Sequence, residues 1–77
     1  MALITDSTNS WSSPVTLSTD EIWQTRKGAV YVTTTSSPDA EDGLALHEFH
    51  AVQFPAGSVV RYRKDGAGEA LIVREGI

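Results

Sequence analysis

The sequence has no cysteine and few basic residues. Without cysteine among its 77 residues, disulfides and thiolate metal sites are excluded. Six Lys and Arg against ten Asp and Glu leave a net charge of −4. That charge argues against a nucleic-acid partner, because phosphate binding needs a positive surface. No apolar run is long enough to cross a membrane. The first residues lack the basic and apolar regions of a signal peptide, so we expect synthesis in the cytoplasm without secretion by that route.

Helical periodicity is also missing. Short apolar and β-branched runs alternate with turn-forming residues, and the clearest runs are 29–35, 59–64 and 70–74. Runs of this kind at regular spacing are typical of antiparallel sheets. We therefore predict an all-β chain, namely a small antiparallel β-sandwich or barrel of six or seven short strands.

The connections can be placed from their turn-forming residues. Residues 26–28 predict a tight turn with Gly28 at positive φ, and residues 65–68 predict a hairpin loop. The stretch 44–54 is two strands or one long bent strand. The final strand, 70–74, would present an exposed edge if nothing paired with it.

Serine and threonine are concentrated in the first half of the chain, with fifteen of the sixteen between residues 5 and 37. The opening residues contain too little apolar surface to bury themselves. We therefore divide the chain into an extended N-terminal arm, 1–13, and a single β domain, 14–77. The arm is either a mobile tail or an added strand on a neighbouring subunit or other partner protein, anchored by Trp11 with Leu3 and Ile4, and we expect the second.

Candidate catalytic and metal-binding residues do not form a convincing site. His47 and His50 would point to opposite faces of a strand, so we predict no bound metal. The acidic loop at 39–42 is expected to be solvated. Asp20 and Glu21 are neighbours on a strand and point apart, which does not suit a glycosidase pair. We expect no catalytic residue and no cofactor.

The aromatic residues leave two alternatives open. They are core or interface residues, or they form a stacking platform for a sugar. A chain of this length gains little more from its core than it loses in conformational entropy, so an interface with a partner is expected. The predicted interface residues are Leu3, Ile4, Trp11, Trp23, Tyr31, Phe49, Phe54 and Tyr62.

Residues 50–63, HAVQFPAGSVVRYR, resemble the second sequence motif of cupins, a strand, a Pro-x-Gly turn and a strand. Cupins place a ligand histidine after this turn, where the chain has Val59, Val60 and Arg61. Their first motif, His-x-His followed by glutamate, is missing as well. The short match therefore gives no metal ligand.

A longer resemblance runs from Trp11 to Glu75. The arrangement is similar to small virion proteins of tailed bacteriophages and of phage-like gene transfer particles. Its pieces are Trp11, EIWQTRKGAVYVTTT (21–35), DGLALHEFHAVQF (42–54) and VVRYRKDGAGEALIV (59–73). The resemblance implies a small β-barrel or sandwich that assembles as a trimer on a capsid, neck, tail or fibre.

These observations predict a non-enzymatic structural protein of a phage-like particle. Its expected partners are copies of itself, most plainly in a trimer, and other particle proteins. The alternative is a stand-alone module that binds a carbohydrate or small ligand on its aromatic face. A cupin-type enzyme is the third interpretation.

Overall fold

The computed structural model describes residues 2–77, which form strands and connecting loops. The eight strands are β1 (Ala2–Ile4), β2 (Val15–Thr16), β3 (Glu21–Lys27), β4 (Val30–Thr33), β5 (Leu44–Leu46), β6 (Ala51–Phe54), β7 (Val59–Lys64) and β8 (Leu71–Gly76). The predicted all-β class is confirmed. The strand count exceeds six or seven because the opening segment is itself a strand. Within the described range there is no helix long and apolar enough to cross a bilayer.

The strands form two antiparallel sheets packed as a sandwich. The first sheet has the order β1-β8-β3-β6 and the second has the order β2-β7-β4-β5. Only β4 and β5, among the described strands, are both consecutive in the chain and hydrogen-bonded to each other. Every other connection passes from one sheet to the other. This alternation over eight strands is the strand order of a jelly roll.

The predicted turns occur at their expected positions, but their partners differ from the expectation. Gly28 has φ +72° between β3 and β4, and Gly66 has φ +89° between β7 and β8. Both turns join strands of different sheets, so the hairpin predicted at residues 65–68 is wrong. Turn-forming residues specify a reversal of the chain, whereas the sheet that the next strand joins depends on packing. The stretch 44–54 likewise forms two strands, one in each sheet.

The core lies between the two sheets and is centred on Trp23, which is fully buried. The indole ring packs edge-on against Phe54, with ring centroids 5.7 Å apart, and lies 6.1 Å from the Tyr62 ring of the opposite sheet. The other buried apolar side chains of this cluster are Leu17, Val30, Val32, Leu46, Val60, Ala70 and Ile72. Their spacing follows the period of two that a strand imposes, as Val60 and Tyr62 on β7 show.

The N-terminal arm is extended, as predicted, but it lies on its own domain. Ala2–Ile4 pairs with β8, with Leu3 opposite Val73, so the last strand is not left unpaired and presents no exposed edge. β8 lies between β1 and β3. The composition of the arm predicts a strand that must pair with the edge of a sheet. Here the arm pairs with β8 of the same chain.

Beyond β1 the arm crosses to the second sheet and continues beside β7. The Lys64 amide donates to the Thr8 carbonyl at 2.8 Å, and the Ser12 amide donates to the Tyr62 carbonyl at 2.9 Å. The Tyr62 hydroxyl also donates to Asp6 Oδ1 at 2.9 Å. Burial and the Asp6 carboxylate together raise the pKa of the Tyr62 phenol. The arm therefore connects the edges of both sheets and contacts a core residue.

Gly28→Ala is expected to destabilise the fold by more than about 1–2 kcal/mol. A left-handed backbone costs about that much for a residue with a Cβ, and the added Cβ would lie 2.7 Å from the Glu69 carbonyl oxygen. Gly68→Ala is the matched control, because its φ is not left-handed and a Cβ there would have open space. Urea unfolding measures both changes. Equal shifts in the two variants would contradict the prediction.

Candidate functional site

The eight predicted interface residues fall into two groups. Trp23, Phe54 and Tyr62 are buried in the core, with at most 8% of each residue exposed. Ile4 is partly buried against the same core. The sequence identifies these residues as large and apolar on predicted strands. It does not show whether they lie in a core or at an interface. The four that remain at the surface in whole or in part are Leu3, Trp11, Tyr31 and Phe49.

Trp11 and Tyr31 both contact the guanidinium of Arg63. Its carbon lies 4.2 Å from the Tyr31 ring centroid and 5.2 Å from the Trp11 ring centroid. Tyr31 and Arg63 are register partners on β4 and β7, which places them on the same outward face. Attraction between a cation and ring faces stabilises such contacts. The two rings therefore pack against the protein's own arginine.

The same contacts hold the loop between β4 and β5 over the second sheet. Trp11 Nε1 donates to the Asp39 carbonyl at 2.9 Å, and Arg63 Nη2 donates to the Ala40 carbonyl. Gly43 lies so close to the indole that an added Cβ would be 2.9 Å from it. Thr33 and Arg61 are register partners, so both lie on the outer face of the second sheet. Thr33 is nevertheless only 7% exposed. The arm and the loop thus cover much of the outer face of the second sheet.

The outer face of the first sheet is open by comparison. Its outward side chains form a shallow groove of about 240 Å³. Ile22, Gln24 and Arg26 follow one another along one side of β3, and Glu75 is the register partner of Ile22. We define the open face as Leu3, Ile22, Gln24, Arg26, Ala51, Val73 and Glu75, of which Val73 is buried among its neighbours at 7% exposure. Leu3, Val73 and Ala51 lie in its middle with Gln24, whereas Ile22 lies beside Glu75 at one end and Arg26 lies at the other.

Phe49 lies at the end of this face on the turn that precedes β6. Its φ of +68° is left-handed, and its side chain is 63% exposed. The Phe49 amide donates to the Thr25 carbonyl at 2.6 Å, and Gln24 Nε2 donates to the Phe49 carbonyl at 3.1 Å. A bulky residue in this backbone conformation is strained and persists only where the surroundings fix it. The fold thus holds a large apolar side chain in water beside the open face.

The two histidines lie on the same turn and not on a strand, so the expectation that they point apart is wrong. Their ring centroids are 5.7 Å apart, and the His47 amide donates to His50 Nδ1 at 3.3 Å. Glu48 Oε1 accepts from the Gly28 amide at 3.2 Å. No group of three His, Asp or Glu that could hold a metal ion occurs in residues 2–77. The expected absence of a metal stays a prediction.

Asp20 and Glu21 bind different groups at one end of the sandwich. Asp20 Oδ1 accepts from the Ala56 amide at 2.8 Å. Both carboxylate oxygens of Glu21 accept from Arg74, at 2.9 and 3.0 Å, and Oε1 also accepts from Trp23 Nε1 at 3.1 Å. The Arg74 hydrogen bonds lower the pKa of Glu21. This arrangement supports the core indole and directs the two carboxylates to different partners within the chain.

Neither protein-family models nor curated proteins nor solved structures give a match to this chain. The similarity to virion proteins therefore remains an expectation from the sequence.

Sequence reasoning missed most of the open face. Arg26, Glu75 and the groove residues were not among the predicted interface residues. The alternation along β3 and β8 separates Ile22, Gln24 and Arg26 from Trp23 and Thr25, so it contains a usable signal. It does not indicate which of the two sets faces the core.

The Glu21–Arg74 ion pair should make stability dependent on pH. Because the pKa of Glu21 is lowered below its usual 4.5, its contribution is present above that value and is lost as the pH falls through the folded-state pKa. Glu21→Gln should cost about 1.5–3 kcal/mol near neutral pH, and the difference from the parent should shrink in acid. Urea unfolding as a function of pH tests this. Glu69→Gln is the control, since its contact with Lys27 is exposed and 4.0 Å long. A gap between parent and Glu21→Gln that does not change with pH would refute the argument.

Arg63→Met should lower the free energy of unfolding by about 1–2 kcal/mol, because two ring contacts and the loop hydrogen bond are lost. Arg61→Met removes another arginine from the same face. Arg61 donates a long hydrogen bond of 3.4 Å to the Thr35 carbonyl. It should change stability by less than about 0.5 kcal/mol. Urea unfolding of the two variants is the measurement. Equal losses would mean that the ring contacts contribute nothing specific.

Proposed function

We propose that this protein is a non-enzymatic structural component of a phage-like particle. It associates with itself and docks on other particle proteins, and its place of action is the particle. Nucleic acid, membranes and cofactors have no part in this proposal. A homotrimer is the assembly that the virion resemblance implies.

The open face is the observation that supports the proposal most strongly. The outer side of the first sheet presents Ile22, Ala51 and Leu3 to solvent, and the exposed Phe49 lies beside it. Aromatic side chains in such positions are typical anchors of protein–protein interfaces. Jelly rolls are common among viral capsid proteins, which agrees with the proposal. The same fold also occurs in lectins and cupins, so the fold by itself does not assign the function.

One feature favours the alternative of a small-ligand or carbohydrate module. A cleft of about 390 Å³ opens between the edge strands β5 and β6. Its lining includes Thr33, Thr35, Leu44 and Phe54, and its size lies within the range of ligand pockets. Apart from the exposed Phe49, the aromatic rings on which a sugar would stack are turned to the core or to Arg63. We therefore rank this function second, and the cupin-type enzyme third.

Purification of particles from the source cells tests the proposal. After nuclease treatment and a density gradient, mass spectrometry should find the chain at a fixed ratio to the major capsid protein. An abundant cytoplasmic enzyme of the same cells serves as the control and should be removed at this stage. A chain that stays in the particle-free fraction would overturn the proposal.

A further inference from the structure

The two outer faces of the sandwich differ in how much of them the chain itself covers. The arm and the β4–β5 loop lie over the second sheet, where Arg63 is stacked with Trp11 and Tyr31. No segment of residues 2–77 crosses the open face of the first sheet in the same way. A face that combines apolar side chains with charged groups at both ends has the composition of an interface, in which apolar groups are surrounded by a polar rim.

The charges on the open face are arranged so that the face complements itself. Arg26 lies four residues from Ile22 along β3, and Glu75 is opposite Ile22. At about 3.3 Å per residue, the backbones of Arg26 and Ile22 are about 13 Å apart, and a bulge between Thr25 and Lys27 interrupts the β3–β8 ladder at Arg26. The ion pairs found in residues 2–77 are Lys27–Glu69 and Glu21–Arg74. Arg26 and Glu75 are therefore both available to a partner.

We propose that a second copy of this chain docks face to face on the open face, about a twofold axis that runs across the strands. This inference rests on the self-association part of the proposed function, names its contact surface, and puts a twofold pair in place of the homotrimer that the virion resemblance implies. Rotation about that axis reverses the strand direction of the second copy. Arg26 of each copy then faces Glu75 of the other, and both contacts form at once, as in any isologous interface.

The same rotation gives Phe49 a place to pack. Since Gln24 is opposite Ala51 in the β3–β6 ladder, Phe49 lies at the Arg26 end of the face. In the pair it comes to the Ile22 end of the other copy. The groove there, about 240 Å³, is smaller than the roughly 300 Å³ at which small-molecule pockets begin. A single side chain from a protein suits this groove better than a free ligand.

The molecule is large enough for such an interface. Its extents are 31 × 25 × 18 Å, and the short dimension is that of a two-sheet sandwich seen from the side. A stable interface uses about 800 Å² per partner, which is less than one fifth of the 4473 Å² of accessible surface. One broad face can supply that area.

Charge reversal on the full chain tests the arrangement. Arg26→Glu and Glu75→Arg each place like charges opposite each other twice per pair, so each should raise the dissociation constant at least about tenfold. The double variant restores both contacts and should return to within about threefold of the parent. Arg61→Glu is the matched control for Arg26→Glu, because it makes the same change in net charge on the other sheet. Sedimentation equilibrium at low and high salt measures all five proteins.

Phe49→Asn separates docking from folding. Asn tolerates the left-handed backbone better than Phe does, so the variant should unfold at the same or a higher urea concentration than the parent. Its dissociation constant should nevertheless rise at least about tenfold, because the anchor is gone. A purely structural role for Phe49 predicts the opposite pattern, lower stability and unchanged association.

A dimer that single reversals weaken and the double reversal rescues would support the inference. A trimer, a chain that stays monomeric at tens of micromolar, or reversals with no effect would overturn it. Any of these results leaves the particle test unaffected, because a chain that docks only on other particle proteins still co-purifies with particles. Failure of the particle test, in turn, does not change the mass of the purified protein.

Discussion

Two buried aromatic residues set a requirement that organises the rest of this small sandwich. The indole N–H of Trp23 and the hydroxyl of Tyr62 must be hydrogen-bonded, because an unpaired polar group in the core is costly. Trp23 Nε1 donates to Glu21, which Arg74 neutralises from the neighbouring strand. The Tyr62 hydroxyl donates to Asp6 of the arm. The core therefore specifies both the ion pair at one end of the molecule and the path of the N-terminal segment.

The arm is in this sense part of the fold and not an appendage. Its first residues pair with β8, and its later residues take up the backbone groups of β7 beyond the short β2. A jelly roll of 77 residues has short strands and little surface to bury. The hydrogen bonds that the arm makes along β8 and β7 add stability that the small core alone does not provide. Trp11 then connects the arm to the β4–β5 loop, which closes the outer side of the second sheet.

Much of this fold can be predicted from the sequence, because local chemistry determines its strands and turns. The β-branched runs of β4 and β7 and the turn at Gly28 lie where their residues predict them. The assignment of strands to sheets cannot be predicted in this way, since Asp65 and Gly66 suit a hairpin and a crossover equally. The partner of the arm is another such case. A polar strand with few apolar anchor residues must pair with the edge of a sheet. Its sequence does not show whether that sheet belongs to the same chain or to another.

The candidate site was harder to predict for a related reason. Alternation along β3 divides its residues into two sets, but both sets contain a large apolar residue, Ile22 in one and Trp23 in the other. Only the packing of the opposite sheet decides that Trp23 lies inside. The exposure of Phe49 depends on the turn at His47–His50. That turn cannot be predicted from a sequence rich in strand-forming residues.

Packing within the chain gives the least explanation for the placement of Phe49. A left-handed backbone costs a residue with a Cβ about 1–2 kcal/mol, and Gly or Asn would lower that cost. Exposure of the ring to water adds a second penalty, since apolar surface is better buried. The turn itself needs neither the ring nor its size, because its hydrogen bonds to Thr25 and Gln24 use only the backbone atoms of Phe49. A protein with so small a core can tolerate two such penalties at one position if the side chain is buried elsewhere. The edge of the open face, where a second copy would cover it, is the place in this molecule where that condition can be met.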